Sequence, residues 1–223
     1  MLKSIALKEW LKTRWFLLLI NVIMLGSSGF LMLRMHRAMD IKGADHIWQV
    51  LLLRDAIIVD SLATLPMLLG VVLALVQLMP EMHRKCLKLT LHLPCSRLKT
   101  TSAMLFYGVI TLTISFALCL GLMYVALRPV IAPEMVRHVL LTTLPWFVAG
   151  LTAYLLAAWI CIEPTWKRRV LNLALTAMLL RVFFLSDTPE SYNGFLPALT
   201  AMGLLTCSLV WLSVLRFIDG HQD

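Results

Sequence analysis

The chain has 223 residues, of which 60% are hydrophobic and only 14% are charged. An average soluble domain is roughly 45 to 50% apolar, and the excess here falls in blocks about as long as a bilayer-spanning helix. This composition excludes a soluble enzyme and a free nucleic-acid-binding protein. The net charge of +8 therefore needs another explanation, which its distribution along the chain provides.

Six apolar stretches predict six membrane-spanning helices. A charged residue at the bilayer centre costs about 2.5 to 3.5 kcal/mol on insertion scales, so spans avoid such residues. The fifth stretch is short for a hydrocarbon core of roughly 30 Å, and either a full crossing or a re-entrant segment fits it. We predict an all-α polytopic membrane protein in which residues 15–223 form one transmembrane domain. Its spans lie at about 15–33, 56–79, 103–126, 139–162, 170–185 and 195–215.

The basic residues indicate how these spans are oriented. If the N-terminus is inside, thirteen of the 20 Lys and Arg residues and five of the 12 Asp and Glu residues lie on that side. That side then carries the whole net charge, as expected because cytoplasmic loops are rich in Lys and Arg. The pattern predicts a multi-pass membrane protein with both termini in the cytoplasm. The positive charge is thus a topology signal, and no nucleic-acid partner is predicted.

Residues 1–14 precede the first span and form a moderately amphipathic pattern. Lys8 and Lys12 share one helical face, whereas Leu7 and Trp10 lie on the opposite face. This pattern predicts an interfacial helix that lies along the inner leaflet of membrane lipid and then turns into the first span. The alternative is an ordinary basic anchor beside the first span.

The longest loop assigned to the cytoplasm covers residues 80–102. Within it Leu87 and Leu91 are four residues apart, Arg84 is available to water, and Pro94 stops a helix because the residue before proline avoids the helical region. The loop therefore predicts a short amphipathic helix on the cytoplasmic end of two spans. The alternative is a basic loop that only fixes topology.

This loop resembles the one between the second and third spans of permease subunits of the type-2 class of ABC exporters. In that family an acidic residue, a basic residue and a Leu-Pro-x-Ser-Arg tail frame the coupling helix that docks on the ATPase. The Lys8-Glu9-Trp10 segment is similar to the family's N-terminal connecting helix. The residues to which the resemblance assigns ATPase coupling are Glu81, Arg84, Leu87, Leu91, Leu93, Pro94 and Arg97.

The resemblance implies a non-catalytic permease subunit of an ATP-driven exporter in the bacterial inner membrane. ATP and Mg²⁺ would bind to a separate cytoplasmic ABC ATPase, which works with two permease subunits that are either identical or sister chains. In agreement, this chain has no Gly-rich loop that ends in Gly-Lys-Ser/Thr, so no cofactor of its own is predicted. Its apolar spans favour a hydrophobic, lipidic or peptidic substrate. The alternative is a six-span scaffold or assembly factor without an ATPase partner.

A few polar side chains fall within or beside the predicted spans. Because such residues are costly in lipid, they are candidates for a transport pathway or for contacts between helices. They are Asn21, Asp60, Gln77, Asn172 and Arg181.

One methionine-rich face resembles a soft metal site. Met32, Met35, His36 and Met39 recur at helical spacing, and thioether and imidazole groups suit copper. A copper-handling permease is therefore an alternative function. The competing interpretation is that these methionines fill gaps between packed helices, and no other metal site is predicted.

Overall fold

A computed structural model describes residues 2–42, 62–83, 97–186, 188 and 190–218 of the chain. These residues form six α-helices with turns between the later ones, and a short 3₁₀ turn, Val182–Phe184, follows the fifth helix. The helices are α1 Leu2–Lys42, α2 Leu65–His83, α3 Arg97–Leu127, α4 Pro133–Ile162, α5 Trp166–Arg181 and α6 Leu196–Ile218.

Five of these helices, all except α5, are long enough and apolar enough to cross a membrane. Their outer surfaces expose large apolar side chains, among them Leu19, Ile110 and Leu204. A soluble protein rarely exposes so much contiguous apolar surface, whereas lipid is a suitable solvent for it. The predicted all-α, multi-pass membrane architecture is therefore confirmed.

The count of six spans is not confirmed. The fifth predicted span, 170–185, corresponds to α5, which has 16 residues. At 1.5 Å per residue α5 is about 24 Å long, less than the roughly 30 Å of a hydrocarbon core. The second predicted span, 56–79, corresponds to α2, but α2 begins at Leu65 and residues 56–61 lie outside the described residues.

Helix α1 is continuous over 41 residues, so the predicted interfacial segment and the first predicted span belong to one helix. The expected turn near Thr13 is absent because no proline or glycine interrupts the helix there, and the Thr13 hydroxyl donates to the carbonyl of Glu9 at 2.8 Å. Near the middle of α1, the hydroxyls of Ser27 and Ser28 likewise donate to carbonyls three residues earlier. This serine pair lies between Gly26 and Gly29.

The predicted loop 80–102 also differs from the structure at both ends. Its first residues, through His83, complete α2, and its last residues, from Arg97, begin α3. The coupling helix predicted within 84–93 lies outside the described residues.

Helix α4 is the centre of the bundle. Of its 30 residues, 18 are buried, and it packs against α2, α3, α5 and α6, while α1 packs on α3 and α2. Helices α2 and α4 approach most closely at two glycines. A Cβ atom at Gly70 would collide with the carbonyl oxygen of Gly150, and one at Gly150 would lie 2.7 Å from the carbonyl oxygen of Pro66. Small residues thus allow the two backbones to touch, as is common between membrane helices.

One end of the bundle contains three buried carboxylates, Glu9, Glu81 and Glu163. The starts of α1, α3 and α5 meet the ends of α2, α4 and α6 there, and polar contacts join these termini. We call this end the carboxylate end. The candidate site lies here.

The glycine contact between α2 and α4 gives a first prediction. Gly70→Ala should lower the free energy of unfolding by about 1 to 3 kcal/mol or more, because the atom that its Cβ meets is backbone and cannot turn aside. Gly121→Ala is the matched control, since nothing lies within 4 Å of the added Cβ. It should be neutral or stabilising by about 0.5 to 1 kcal/mol. Unfolding in detergent micelles measures both, and equal stability of the two variants would contradict the close approach.

Candidate functional site

Glu81, in the last turn of α2, is bound by two lysines from the start of α1. The Nζ atoms of Lys8 and Lys12 lie 2.9 and 3.2 Å from Oε1 of Glu81, which is only 4% exposed. The fully buried Glu9 lies beside them, with its Oε2 3.6 Å from Nζ of Lys12. We call Lys8, Glu9, Lys12 and Glu81 the carboxylate–lysine cluster.

The carboxylate–lysine cluster joins α1 to α2. Glu81 lies between two positive charges, and a counter-charge is the usual condition for burying an ionised group. Removing one partner of a buried ion pair typically costs about 3 to 5 kcal/mol because the other charge is left uncompensated. Next to the cluster the hydroxyls of Thr13 and Tyr107 are hydrogen-bonded at 2.9 Å, so α1 is also tied to the start of α3.

A buried amide continues this polar layer into the centre of the bundle. Gln77 lies one turn before Glu81 in α2, and its Nε2 donates to the carbonyl of Met104 in α3 at 2.8 Å. Its Oε1 accepts a hydrogen bond from the Tyr154 hydroxyl of α4 at 2.7 Å. Gly108 is required opposite, because a Cβ there would collide with that hydroxyl. One side chain therefore joins α2, α3 and α4.

Glu163 forms a second polar junction at the carboxylate end, and the sequence analysis did not single it out. Its Oε1 accepts from the Thr165 hydroxyl at 3.2 Å, and its Oε2 accepts from the Ser213 hydroxyl and lies 3.6 Å from Nη1 of Arg216. Its backbone carbonyl accepts from Nε of Arg169 at 2.6 Å. This residue therefore joins the end of α4 to α5 and α6.

The residues predicted for the interfacial helix have two different surroundings. Lys8 and Lys12 face the protein, where they bind Glu81, whereas Trp10 is half exposed and lines a groove between α1 and α3. The polar face of this segment is therefore turned toward the bundle and the apolar face outward, as expected of a helix in contact with lipid.

Among the predicted coupling residues, Glu81 is the one whose side chain the structure describes. Arg97 is the first residue of α3, and its side chain is outside the described part of the structure. The other coupling residues also lie outside the described residues, namely Arg84, Leu87, Leu91, Leu93 and Pro94.

The polar residues predicted for a pathway or for packing are dispersed. Gln77 forms the central junction, whereas the Asn21 amide is half-buried and donates to the carbonyl four residues before it in α1. Asn172 is buried in α5, and Arg181 is exposed at the end of that helix. No hydrogen bond within the described part of the chain joins any two of these four residues, and Asp60 lies outside that part.

The methionine face lies between α1 and the end of α3. Met35 is buried in the main apolar core, Met32 packs against that core, and both line a small cavity of about 30 Å³ together with His36. The side chain of Met39 is outside the described residues. Across the described ranges, no three His, Cys, Asp or Glu side chains are grouped so as to hold a metal ion. Copper binding by the thioethers stays a prediction.

Two open grooves lie on the outer surface at the carboxylate end. The first, of about 510 Å³, runs between α1 and α3, and the second, of about 520 Å³, is lined by residues of α2, α4 and α5. We call the second the α5 groove. Comparison of the chain with family models, with curated proteins and with solved structures finds no match.

The carboxylate–lysine cluster predicts that Glu81→Gln destabilises the protein by about 3 kcal/mol, because both lysines lose their buried counter-charge. Glu134→Gln is the control, since this exposed glutamate in the first turn of α4 should contribute no more than about 0.5 kcal/mol. Chemical unfolding in micelles measures both. A Glu81→Gln variant as stable as Glu134→Gln would show that the pairs contribute nothing.

The central amide predicts strong coupling between Gln77 and Tyr154. Gln77→Leu and Tyr154→Phe each leave a buried group unpaired, at a cost of about 1 to 3 kcal/mol. The double variant should cost clearly less than the sum of the two, because neither partner is then left behind. Unfolding of the four proteins of this cycle gives the coupling energy, and additive losses would refute the bond. Thr113→Val, at an exposed position in α3, should change stability by no more than about 0.5 kcal/mol.

Proposed function

We propose that this chain is the membrane-spanning, non-catalytic permease subunit of an ATP-driven exporter of the ABC type. The observation that supports the proposal is the pairing of Lys8 and Lys12 with Glu81. These lysines belong to the segment that resembles the family's connecting helix, and Glu81 stands at the start of the loop that resembles its coupling region. The two segments are 69 residues apart in the chain, yet they are in contact.

A loop that transmits motion must be attached firmly to the spans that move. Glu81 lies in the last turn of α2, so a displacement of the following loop acts directly on the cluster and, through its lysines, on α1. From Gln77, one turn earlier, the hydrogen bond to Tyr154 continues into α4. Packed helices linked in this way move as units rather than deform gradually, which suits switching between two arrangements.

The far side of the same loop is attached as well. Arg97 begins α3, and Tyr107 of that helix is hydrogen-bonded to Thr13 of α1. Both helices that flank the loop are therefore joined to the start of α1. In this proposal the carboxylate end faces the cytoplasm, where a separate ATPase subunit binds ATP and Mg²⁺ and contacts the loop.

The proposal includes a pair of permease subunits, identical or sister chains, around a pathway for a hydrophobic, lipidic or peptidic cargo. The scarcity and dispersal of polar side chains in the described spans favour such a cargo over a small hydrophilic ion. The distribution of Lys and Arg favours both termini in the cytoplasm, and the resemblance to ABC permeases favours the bacterial inner membrane as the location.

The test is co-purification of a nucleotide-binding subunit with the tagged protein in mild detergent. Arg84→Glu with Leu91→Asp should weaken that association about thirtyfold or more, because buried charge pairs at interfaces carry about 2 to 5 kcal/mol and the aspartate adds an unpaired charge. Arg137→Glu is the control. It reverses an exposed charge near the start of α4, at the opposite end of the bundle, and should leave the complex intact.

Two results would contradict the proposal. One is a full ATPase complex with full transport in the Arg84→Glu/Leu91→Asp variant. The other is the consistent absence of any nucleotide-binding subunit from preparations of the unaltered protein, which would favour a scaffold or assembly factor.

A further inference from the structure

The α5 groove has an apolar wall and a basic mouth. Its volume is about 520 Å³, and Met79 of α2, Ile160 of α4 and Val170 of α5 are among its apolar lining residues. Trp166 and Arg169, both in the first turn of α5, also line it. The groove is open to the outside of the bundle, where a membrane protein meets lipid.

Three consecutive cations, Lys167, Arg168 and Arg169, lie in the first turn of α5. Arg169 lines the groove, and Lys167 and Arg168 are exposed beside it. None of them takes part in an ion pair with a carboxylate within the described part of the chain. Arg169 is held in place at the groove because its Nε donates to the carbonyl of Glu163. The positive end of the α5 dipole adds to this charge. The mouth of the groove is therefore positive, with Arg169 held at its lining and two exposed cations next to it.

The exposed side chains of α5 indicate the depth at which this mouth lies. Trp166 is 71% exposed, and tryptophan with this exposure is typical of the headgroup level of a bilayer. One turn further, Val170 and Leu173 are also exposed and apolar, as expected for residues among acyl chains. The positive site thus lies at headgroup depth, and the apolar wall continues from it toward the membrane interior.

The groove between α1 and α3 is also lined by a single cation. Its one cation, Arg14, lies over the ring of Trp15 at 5.6 Å, and its lining includes the polar residues Asn21 and Ser115. In the α5 groove the lining cation, Arg169, is instead next to two further exposed cations, Lys167 and Arg168.

We propose that the α5 groove is a binding site for one anionic phospholipid of the adjacent leaflet. The phosphate lies against Arg169, the exposed Lys167 and Arg168 add positive charge beside it, and an acyl chain lies along the wall formed by Met79 and Val170. Charge complementarity selects this occupant, because a zwitterionic headgroup brings no net charge to the three cations. The bound lipid also stabilises the junction at Glu163, since Arg169 contacts both. This site does not depend on the transport proposal.

Retention of lipid by the purified full-length chain tests the site. The protein is delipidated in mild detergent, phosphatidylglycerol or phosphatidylcholine is added in mixed micelles, and native mass spectrometry measures the bound lipid while thermal unfolding measures its stabilising effect. Phosphatidylglycerol should bind at least about tenfold more tightly than phosphatidylcholine, and it should raise the unfolding temperature.

Three variants separate a built site from mere surface charge. Lys167→Gln/Arg168→Gln removes two exposed cations and should weaken binding of phosphatidylglycerol about fivefold for each. Val170→Trp fills the groove without changing charge, at a position where the native side chain is exposed, and should also weaken binding at least about fivefold. Arg137→Gln removes an exposed cation at the opposite end of the bundle and should bind as the unaltered protein does.

Three outcomes overturn the site. Equal retention of the two lipids shows no selection by charge, and unchanged binding of phosphatidylglycerol by Val170→Trp shows that the groove holds no acyl chain. The third is a dimer of the unaltered protein that Val170→Trp dissociates while lipid binding is unchanged, which would assign the groove to a second copy of this chain.

Discussion

A buried carboxylate must keep its counter-charges, and at the carboxylate end this requirement determines where the helix termini lie. Glu81 needs Lys8 and Lys12 because an unpaired buried charge costs several kcal/mol, more than most single contacts contribute. The start of α1 therefore cannot leave the end of α2. Glu163 imposes the same condition on the second half of the chain through Ser213 and Arg216. Helix α4 packs against helices of both junctions and so connects them.

Away from this end, close packing between small residues rather than ion pairing holds the helices together. Gly70 and Gly150 let the backbones of α2 and α4 meet, and Ala149, Ala153 and Ala158 of α4 are fully buried. Lipid offers apolar side chains no less favourable surroundings than the protein interior does, so close van der Waals contact between small residues provides most of the attraction there. Tyr154 takes part in both kinds of contact: its ring packs in the space left by Gly108, and its hydroxyl donates a hydrogen bond to Gln77.

The structural features that depend on local composition, above all the apolar helices, were predicted from the sequence. Helices α3 and α4 contain their predicted spans, and α6 covers all but the first residue of its span, since an uninterrupted apolar block has few stable alternatives to a helix in lipid. Lys8 and Lys12 were correctly assigned to one face, but their partner was not, because Glu81 is distant in the chain and only the packed bundle brings it near. The length of α1 was also missed, since charged residues end an apolar span without ending a helix. Glu163 was overlooked because a glutamate before Pro164 at the end of an apolar block indicates a helix end and nothing more.

Helix α1 is a rod of 41 residues, about 60 Å long and therefore about twice as long as the hydrocarbon core is thick. Its one intrinsically weak point is the Gly26–Gly29 segment, where packing does not require glycine: nothing lies within 4 Å of a Cβ added at either glycine. Helices bend most readily at such glycine–serine sequences. A displacement of Lys8 would thus bend α1 at the Gly26–Gly29 segment. The half of α1 that contains Lys8 would tilt, while the other half, which Met35 anchors in the core, keeps its position.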